Sequence, residues 1–148
     1  MSDLNTRTAT TANELRTEVE HFYARQMQLL DDHACEEWAD TFTSDGTFDA
    51  NGLPAPSTGR AAIAAGARAA TSRLEAEGLV HRHWLGMLTI SENDDRTITA
   101  RSYALVVQTR LGGGTSLHRS TLCHDVLTRD ENGRLQVYRR TVTRDDIA

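Results

Sequence analysis

The hydrophobic period of the chain changes from helical to alternating at residue 79, and this change limits the fold more than any other feature of the sequence. Before it, apolar residues recur every three or four positions. After it, they alternate with polar residues, as they do in a strand with one buried face. The alternating part divides into four long segments, residues 81–90, 97–110, 115–129 and 134–143. Short turns rich in Gly, Asn and Asp separate them, which predicts an antiparallel sheet.

Two helices are predicted at the start of the chain. The first carries its apolar side chains on one face between residues 15 and 30. The second begins at Asp32, a suitable cap, and carries Trp38, Ala39 and Phe42 on its inner side. The two are expected to form a bent pair.

A third helix is predicted after a short strand at residues 47–50 and a loop that holds both prolines, with Ser57 or Thr58 as its cap and Gly78 at its end. Long strands beside a few helices tend to coil around them. We therefore expect an α+β fold. The expected shape is a cone-shaped roll of about three N-terminal helices packed in a strongly curved, mixed but mainly antiparallel sheet, with an internal pocket.

The length of 148 residues suits one domain, assigned to residues 11–148, and the Thr-rich residues 1–10 are expected to form a flexible arm. The net charge of -5, with 16 Lys and Arg residues scattered among acidic ones, argues against nucleic acid as a partner. No apolar run approaches the ~20 residues that span a bilayer, and no signal-peptide pattern is visible. We expect a cytoplasmic protein with no membrane partner.

Two cysteines, Cys35 and Cys123, cannot build a disulfide framework, and neither has a second Cys or His at close spacing for zinc. Both are expected to be reduced and buried. The sequence also lacks a phosphate-binding loop after a strand, a dinucleotide fingerprint and a nucleophile elbow. No cofactor and no metal are therefore expected.

Histidines on the first long strand are candidates for chemistry. Alternation places His81 and His83 on the same face as Leu85 and Met87, so at least one imidazole is expected beside apolar side chains. A hydrogen-bonded structural histidine and a general base both fit this position. A metal site fits poorly, because no carboxylate follows at short spacing and the nearest other histidines lie on a different strand.

Asp31 ends the first helix, directly after two leucines, so its side chain is a candidate to point inward. An Asp at a helix junction is most often a cap, but the neighbouring Asp32 can serve that role. A carboxylate that holds one imidazole nitrogen sets the tautomer of the ring and stabilises the imidazolium formed when the ring takes a proton. Asp31 and His83 together therefore form a candidate catalytic pair.

The third long strand has two faces, and the sequence does not decide which one lines the pocket. One face carries Thr121 and Cys123, and the other carries His118 and His124. Four aromatic residues are further candidates for pocket walls, although each also suits an ordinary core: Tyr23, Trp38, Trp84 and Tyr103.

Four stretches carry a family resemblance: VEHFYARQMQLLDDHACEEWADTFTSDGTFD, STGRAAIAAGARAA, HRHWLGMLTI and ARSYALVVQT. From about residue 14 to its end, the chain resembles the SnoaL-like branch of the nuclear-transport-factor-2-like superfamily. This branch includes polyketide cyclases, scytalone-dehydratase-like enzymes, isomerases and the small subunit of ring-hydroxylating dioxygenases. The resemblance implies that Asp31 matches the catalytic Asp of dehydratase-like members and His83 their strand histidine. The chain departs from the pattern at Cys123, where many relatives have a tyrosine two residues before Asp125, and it has no clear match for the dehydratases' second histidine.

The resemblance favours a cofactor-independent cyclase, dehydratase or isomerase that acts on a small, largely apolar, polyketide-type intermediate. His83 would remove a proton, Asp31 would orient it, and a neighbouring Tyr or His would donate a proton. The candidate substrate-binding residues are Tyr23, Trp38, Tyr103, His118, Thr121, Cys123 and His124. The alternative is an accessory or ligand-binding protein, such as a relative of the dioxygenase small subunit. The resemblance also implies a homodimer through the open face of the sheet.

Overall fold

The computed structural model describes residues 2–147, with side chains from residue 11 onward. The expected arm over residues 1–10 therefore falls outside the part described with side chains. The described chain, residues 2–147, has the helices α1 (Ser2–Asp31), α2 (Cys35–Ala39) and α3 (Arg60–Glu77). Its strands are β1 (Phe42–Ala50), β2 (Ser57–Thr58), β3 (Leu79–Glu92), β4 (Ile98–Arg110), β5 (Thr115–Arg129) and β6 (Leu135–Arg144).

The six strands form one open sheet in the order β2, β1, β6, β5, β4, β3. The long strands β3 to β6 pair in sequence as antiparallel neighbours, as the alternating pattern predicts. β1 joins the edge of β6 as a parallel neighbour, since the chain crosses from one to the other through α3 and the whole long-stranded meander. The predicted α+β class and the mixed, mainly antiparallel sheet are confirmed.

The start of the sheet differs from the prediction in two places. Phe42 does not belong to the second helix, which ends at Ala39; it begins β1 and is fully buried against the helices. Ser57 and Thr58 do not cap the third helix, because they pair with β1 as the short strand β2. Gly59 occupies the position before α3 instead, with a φ of 87° that glycine adopts without steric cost.

The core lies between the sheet and the inner face of α1. The residues with almost no solvent exposure come from both layers, with Val19 on α1 and Phe42, Leu127 and Val137 on the strands. The third helix covers the remaining part of the same sheet face and ends at Gly78, whose φ of 67° confirms the predicted left-handed cap. The helices thus cover one face of the sheet, and the other face is open.

Three irregularities shift the alternation of the long strands, between Gly86 and Thr89 of β3, at His118 of β5 and at Tyr138 of β6. The register of β3 against β4 slips between Gly86 and Thr89, so Met87 points to solvent and Leu88 enters the core. The prediction that Met87 shares the inner face was wrong for this reason. A second bulge, opposite the step from Val106 to Val107, moves Leu117 to the outer face.

Candidate functional site

A cavity of about 320 Å³ lies between the helices and the covered face of the sheet. This volume is within the range of small-molecule sites. Most of its wall is apolar, with contributions from all three helices and all six strands. Few of the residues that line it are polar or ionisable: Ser57, His83, Thr121, Cys123 and Arg140. An apolar space with few polar groups suits a small, largely apolar ligand. We call it the main cavity.

A second space of about 300 Å³ lies between α1 and β3. Glu20, Tyr23 and Asp31 line it from the helix, and Ser102 lines it from the sheet. We call it the side cleft. His83 lines both spaces. The imidazole therefore stands where the main cavity and the side cleft meet.

Asp31 and His83 form the pair that the sequence predicts. The Asp31 Oδ1 atom lies 2.6 Å from His83 Nδ1, and Asp31 Oδ2 accepts the backbone N–H of His83 at 3.0 Å. The side chain of Asp31 is 8% exposed and that of His83 is 25% exposed. The last residue of α1 thereby holds both the backbone and the ring of one residue of β3, which leaves the ring little freedom to rotate.

The contact with Asp31 selects one tautomer of the ring. An ionised carboxylate only accepts hydrogen bonds, so the proton shared at 2.6 Å belongs to Nδ1. In the neutral ring the lone pair then lies on Nε2. Among residues 11–147, Nε2 has no hydrogen-bond partner and is not among the fully enclosed polar atoms. A free, accessible lone pair on the wall of a cavity is the arrangement a general base requires.

A buried polar network joins α1 to strands β5 and β6, and the sequence did not reveal it. Asp125 accepts two hydrogen bonds from Arg140, at 3.0 and 2.9 Å, and one from the Tyr23 hydroxyl at 2.6 Å. Arg140 also donates to Gln26 at 2.6 Å, and Gln26 donates to Thr41 at 2.7 Å. Both carboxylate oxygens of Asp125 are therefore satisfied, which a buried charge requires.

The network changes the acidity of its members. Burial, together with the charge of Asp125, raises the pKa of Tyr23 well above its ordinary value. Burial opposes the charge of Arg140, but the Asp125 carboxylate outweighs it and the pKa of Arg140 is raised. The phenol and the guanidinium thus both keep their protons. The sequence carried one signal for this cluster: alternation puts a charged residue, Asp125, on the same face of β5 as Thr121 and Cys123.

The structure resolves which face of the third long strand is inside. Thr121 and Cys123 line the main cavity, as Trp38 does, whereas Tyr23 lines the side cleft. His118 lies at the bulge of β5, half-buried, with its ring 5.0 Å from that of His81. Burial and the charge of Arg119 lower the pKa of His118.

Three predicted substrate-binding residues, His118, Tyr103 and His124, line neither the main cavity nor the side cleft. Tyr103 and His124 point away from the helices to the open face of the sheet and are exposed. Their pairing partners follow the same alternation, since Tyr103 lies opposite Leu122 and His124 opposite Arg101. Their assignment to the pocket was wrong, because it required the opposite face of each strand to be covered.

Both cysteine thiols are buried, and we expect neither to react in the folded protein. Burial first, and the nearby Asp125 carboxylate next, raise the pKa of Cys123 to about 12, so the reactive thiolate is scarce at pH 8. A colorimetric disulfide reagent should count no thiols in the native protein and two after denaturation. In the Cys35→Ser variant, any remaining signal comes from Cys123. Fast reaction of Cys123 in the folded state would contradict the prediction.

No group of three or more His, Cys, Asp or Glu side chains within the described residues is arranged to hold a metal ion. The described helices also include none that is both long and apolar enough to cross a membrane. The wall of the main cavity includes His83, which is paired with Asp31, and Arg140, which is paired with Asp125.

Solved structures similar to this chain share its fold over most of their length. ActVI-ORFA from Streptomyces coelicolor is 34% identical, with 92% of this chain and 98% of that chain covered and a TM-score of 0.85. A protein from Catenulispora acidiphila in complex with S-DNPA is 38% identical, with 90% and 96% covered and a TM-score of 0.79. A chain proposed as the β subunit of an aromatic-ring-hydroxylating dioxygenase from Novosphingobium aromaticivorans is 22% identical, with 93% and 94% covered and a TM-score of 0.74. The last likeness concerns the fold alone.

No curated protein matches the chain. The family model of the SnoaL-like domain matches residues 11–141, which is most of the sequence. The fold, the helix-covered cavity and the sequence similarity to solved relatives agree with that match. The chain therefore belongs to the SnoaL-like family of the nuclear-transport-factor-2-like superfamily.

Proposed function

We propose that the chain is a cofactor-independent enzyme that catalyses the cyclisation, dehydration or isomerisation of a small, largely apolar metabolite. The Asp31 and His83 pair on the wall of an apolar cavity carries this proposal. A hydrogen bond of 2.6 Å to a carboxylate, with the second ring nitrogen accessible, suits a general base. We expect the enzyme to act in the cytoplasm.

In the proposed reaction, His83 Nε2 removes a proton from a carbon next to a carbonyl group. The electron pair of the broken C–H bond moves toward the carbonyl and forms an enolate, and the ring becomes an imidazolium. Asp31 stabilises this cation through Nδ1. Cyclisation, dehydration and isomerisation can each proceed from the same enolate, so one base serves all three reactions.

The proton is returned by His83 itself in this proposal. Tyr23 lines the side cleft with His83 and is a candidate for a separate donor, but its hydroxyl proton is committed to Asp125 at 2.6 Å and its pKa is raised. His118 contacts His81 and is not part of the lining of either space. The imidazolium of His83 can return its proton in each case: to a leaving hydroxyl, which departs as water, to the far carbon of a conjugated enolate, or to the alkoxide formed when the enolate carbon attacks a second carbonyl group.

The substrate class is supported by the cavity and by the relatives. The wall of the main cavity is mostly apolar and its volume of about 320 Å³ suits a compact fused-ring molecule. The Catenulispora acidiphila relative has S-DNPA bound. We therefore propose a polyketide-type natural-product intermediate as the substrate.

The test begins with deletion of the gene in its host and identification of the metabolite that accumulates. The purified protein should convert this metabolite without any added cofactor. If the metabolite is returned unchanged, and the protein instead copurifies with an oxygenase in a stable complex, the accessory role is correct and the enzyme proposal fails.

A homodimer through the open face of the sheet is part of the proposal. Trp84 is 71% exposed there and Tyr103 lies on the next strand of the same face, an apolar surface that a second copy can cover. We expect Trp84→Glu to convert the dimer to a monomer in light scattering. Leu111→Glu is the matched control, since Leu111 is 69% exposed but lies in the turn after β4. A strictly monomeric wild-type protein would contradict the prediction.

A further inference from the structure

One nitrogen of the buried Arg140 side chain has no partner, although the rest of the guanidinium is fully engaged. Its Nε donates to Asp125, and Nη2 donates to Asp125 and to Gln26. In the part of the chain described with side chains, Nη1 has no hydrogen-bond acceptor. We propose that Nη1 of Arg140 binds a carbonyl oxygen of the ligand in the main cavity. This inference rests on the proposed function, because it assigns the group that the reaction activates.

The free nitrogen is open to the cavity. Arg140 is only 3% exposed, and it belongs to the wall of the main cavity, as His83 does. Trp38 Nε1 is the one polar side-chain atom among residues 11–147 that is both unpaired and fully enclosed. Nη1 of Arg140 is also unpaired but is not fully enclosed, so part of its surface is accessible to a ligand. The wall position of Arg140 directs that surface into the cavity.

The guanidinium is held before any ligand binds. Its central carbon lies 5.6 Å from the ring centroid of Tyr23 and 5.6 Å from that of Phe42, in addition to the contacts with Asp125 and Gln26. A donor that is already oriented loses little freedom when it binds an oxygen, and it can stabilise charge that develops there.

The charge balance favours a neutral oxygen acceptor over a carboxylate. Asp125 already compensates the charge of Arg140 at 2.9 Å, so a bound carboxylate would leave one uncompensated negative charge in a buried site. A ketone oxygen adds no charge on binding. When His83 takes the neighbouring proton, the electron pair moves to this oxygen, and Nη1 is placed to stabilise it.

The test compares two probes with the same bicyclic carbon skeleton, the ketone 1-tetralone and the hydrocarbon tetralin. Calorimetry gives the ratio of their affinities for the wild-type protein and for Arg140→Lys, which keeps a positive charge opposite Asp125 but lacks the second terminal nitrogen. We expect the preference for the ketone to fall about tenfold in the variant, as the loss of a charge-assisted hydrogen bond predicts. Arg139→Lys is the matched control, since Arg139 points to solvent on the same strand, and it should keep the ratio.

If Arg140→Lys does not fold, spectra of wild-type protein with 15N-labelled arginine decide the question. The Arg140 side-chain signals should shift with 1-tetralone and not with tetralin. An unchanged affinity ratio, equal shifts with both probes, or a wild-type protein that does not bind the ketone would overturn the assignment. Because binding and not turnover is measured, failure of the acid–base role of His83 would leave this result unaffected.

Discussion

Replacement of Asp31 by asparagine, or of His83 by glutamine, is expected to lower kcat by a factor of about 10² to 10⁴, the usual contribution of a positioned general base. The glutamine side chain has no basic nitrogen. The asparagine side chain lacks the anion that stabilises the imidazolium, and it can present an N–H to Nδ1, which would favour the wrong tautomer. Both variants should keep their affinity for the substrate to within a few fold, because the cavity wall is otherwise unchanged.

His81→Gln is the matched control for these variants. His81 lies on the same strand, two residues earlier, and its ring contacts Gln108 at 2.8 Å instead of a carboxylate. This variant should retain nearly full activity. Steady-state kinetics on the accumulated metabolite measure the effect, and 15N spectra of the histidine ring report the tautomer. Full turnover by both Asp31→Asn and His83→Gln would exclude the proposed mechanism.

Disruption of the Asp125 and Arg140 ion pair is expected to cost about 3 to 5 kcal/mol of the free energy of unfolding, since either single substitution leaves a buried group without its partner. The side chain of Arg140 is 3% exposed and that of Asp125 is fully buried. Asp125→Asn and Arg140→Met are the two single variants, and their double variant should lose less than the sum of the single losses. Urea unfolding followed by circular dichroism measures these changes.

An exposed ion pair supplies the comparison. Glu18 and Arg129 form two hydrogen bonds, at 2.7 and 2.8 Å, but both side chains are more than 40% exposed. Glu18→Gln is expected to cost no more than about 1 kcal/mol, because solvent screens the pair. Equal losses for Glu18→Gln and Asp125→Asn would show that burial does not decide the stability of these pairs.

The candidate catalytic pair could be predicted from the sequence because each partner has a local signal. Asp31 follows the last leucines of a helical stripe, and His83 lies on an alternating strand among apolar residues. Family resemblance joined the two residues, and the structure places them in contact at 2.6 Å. Their catalytic role stays a prediction until kinetics test it.

Arg140 could not be predicted as a cavity residue. Simple alternation from Leu135 and Val137 would turn Arg139 inward, but the register of β6 against β1 and β5 shifts at Tyr138. This shift points Arg140 inward instead. The sequence also leaves undecided which face of β5 points inward. Alternation defines two faces but does not say which one the helices cover. Tyr103 and His124 were misplaced by that ambiguity.

The sequence by itself determined the α+β class, the four long strands and the position of Asp31 at a helix end, since these depend on local periodicity and on turn residues. Only the tertiary structure decided which strand faces are covered, where the bulges at Met87 and His118 shift the alternation, and how Arg140 and Asp125 meet. These features arise from contacts between residues far apart in the chain. Such contacts leave no periodic trace in the amino-acid sequence.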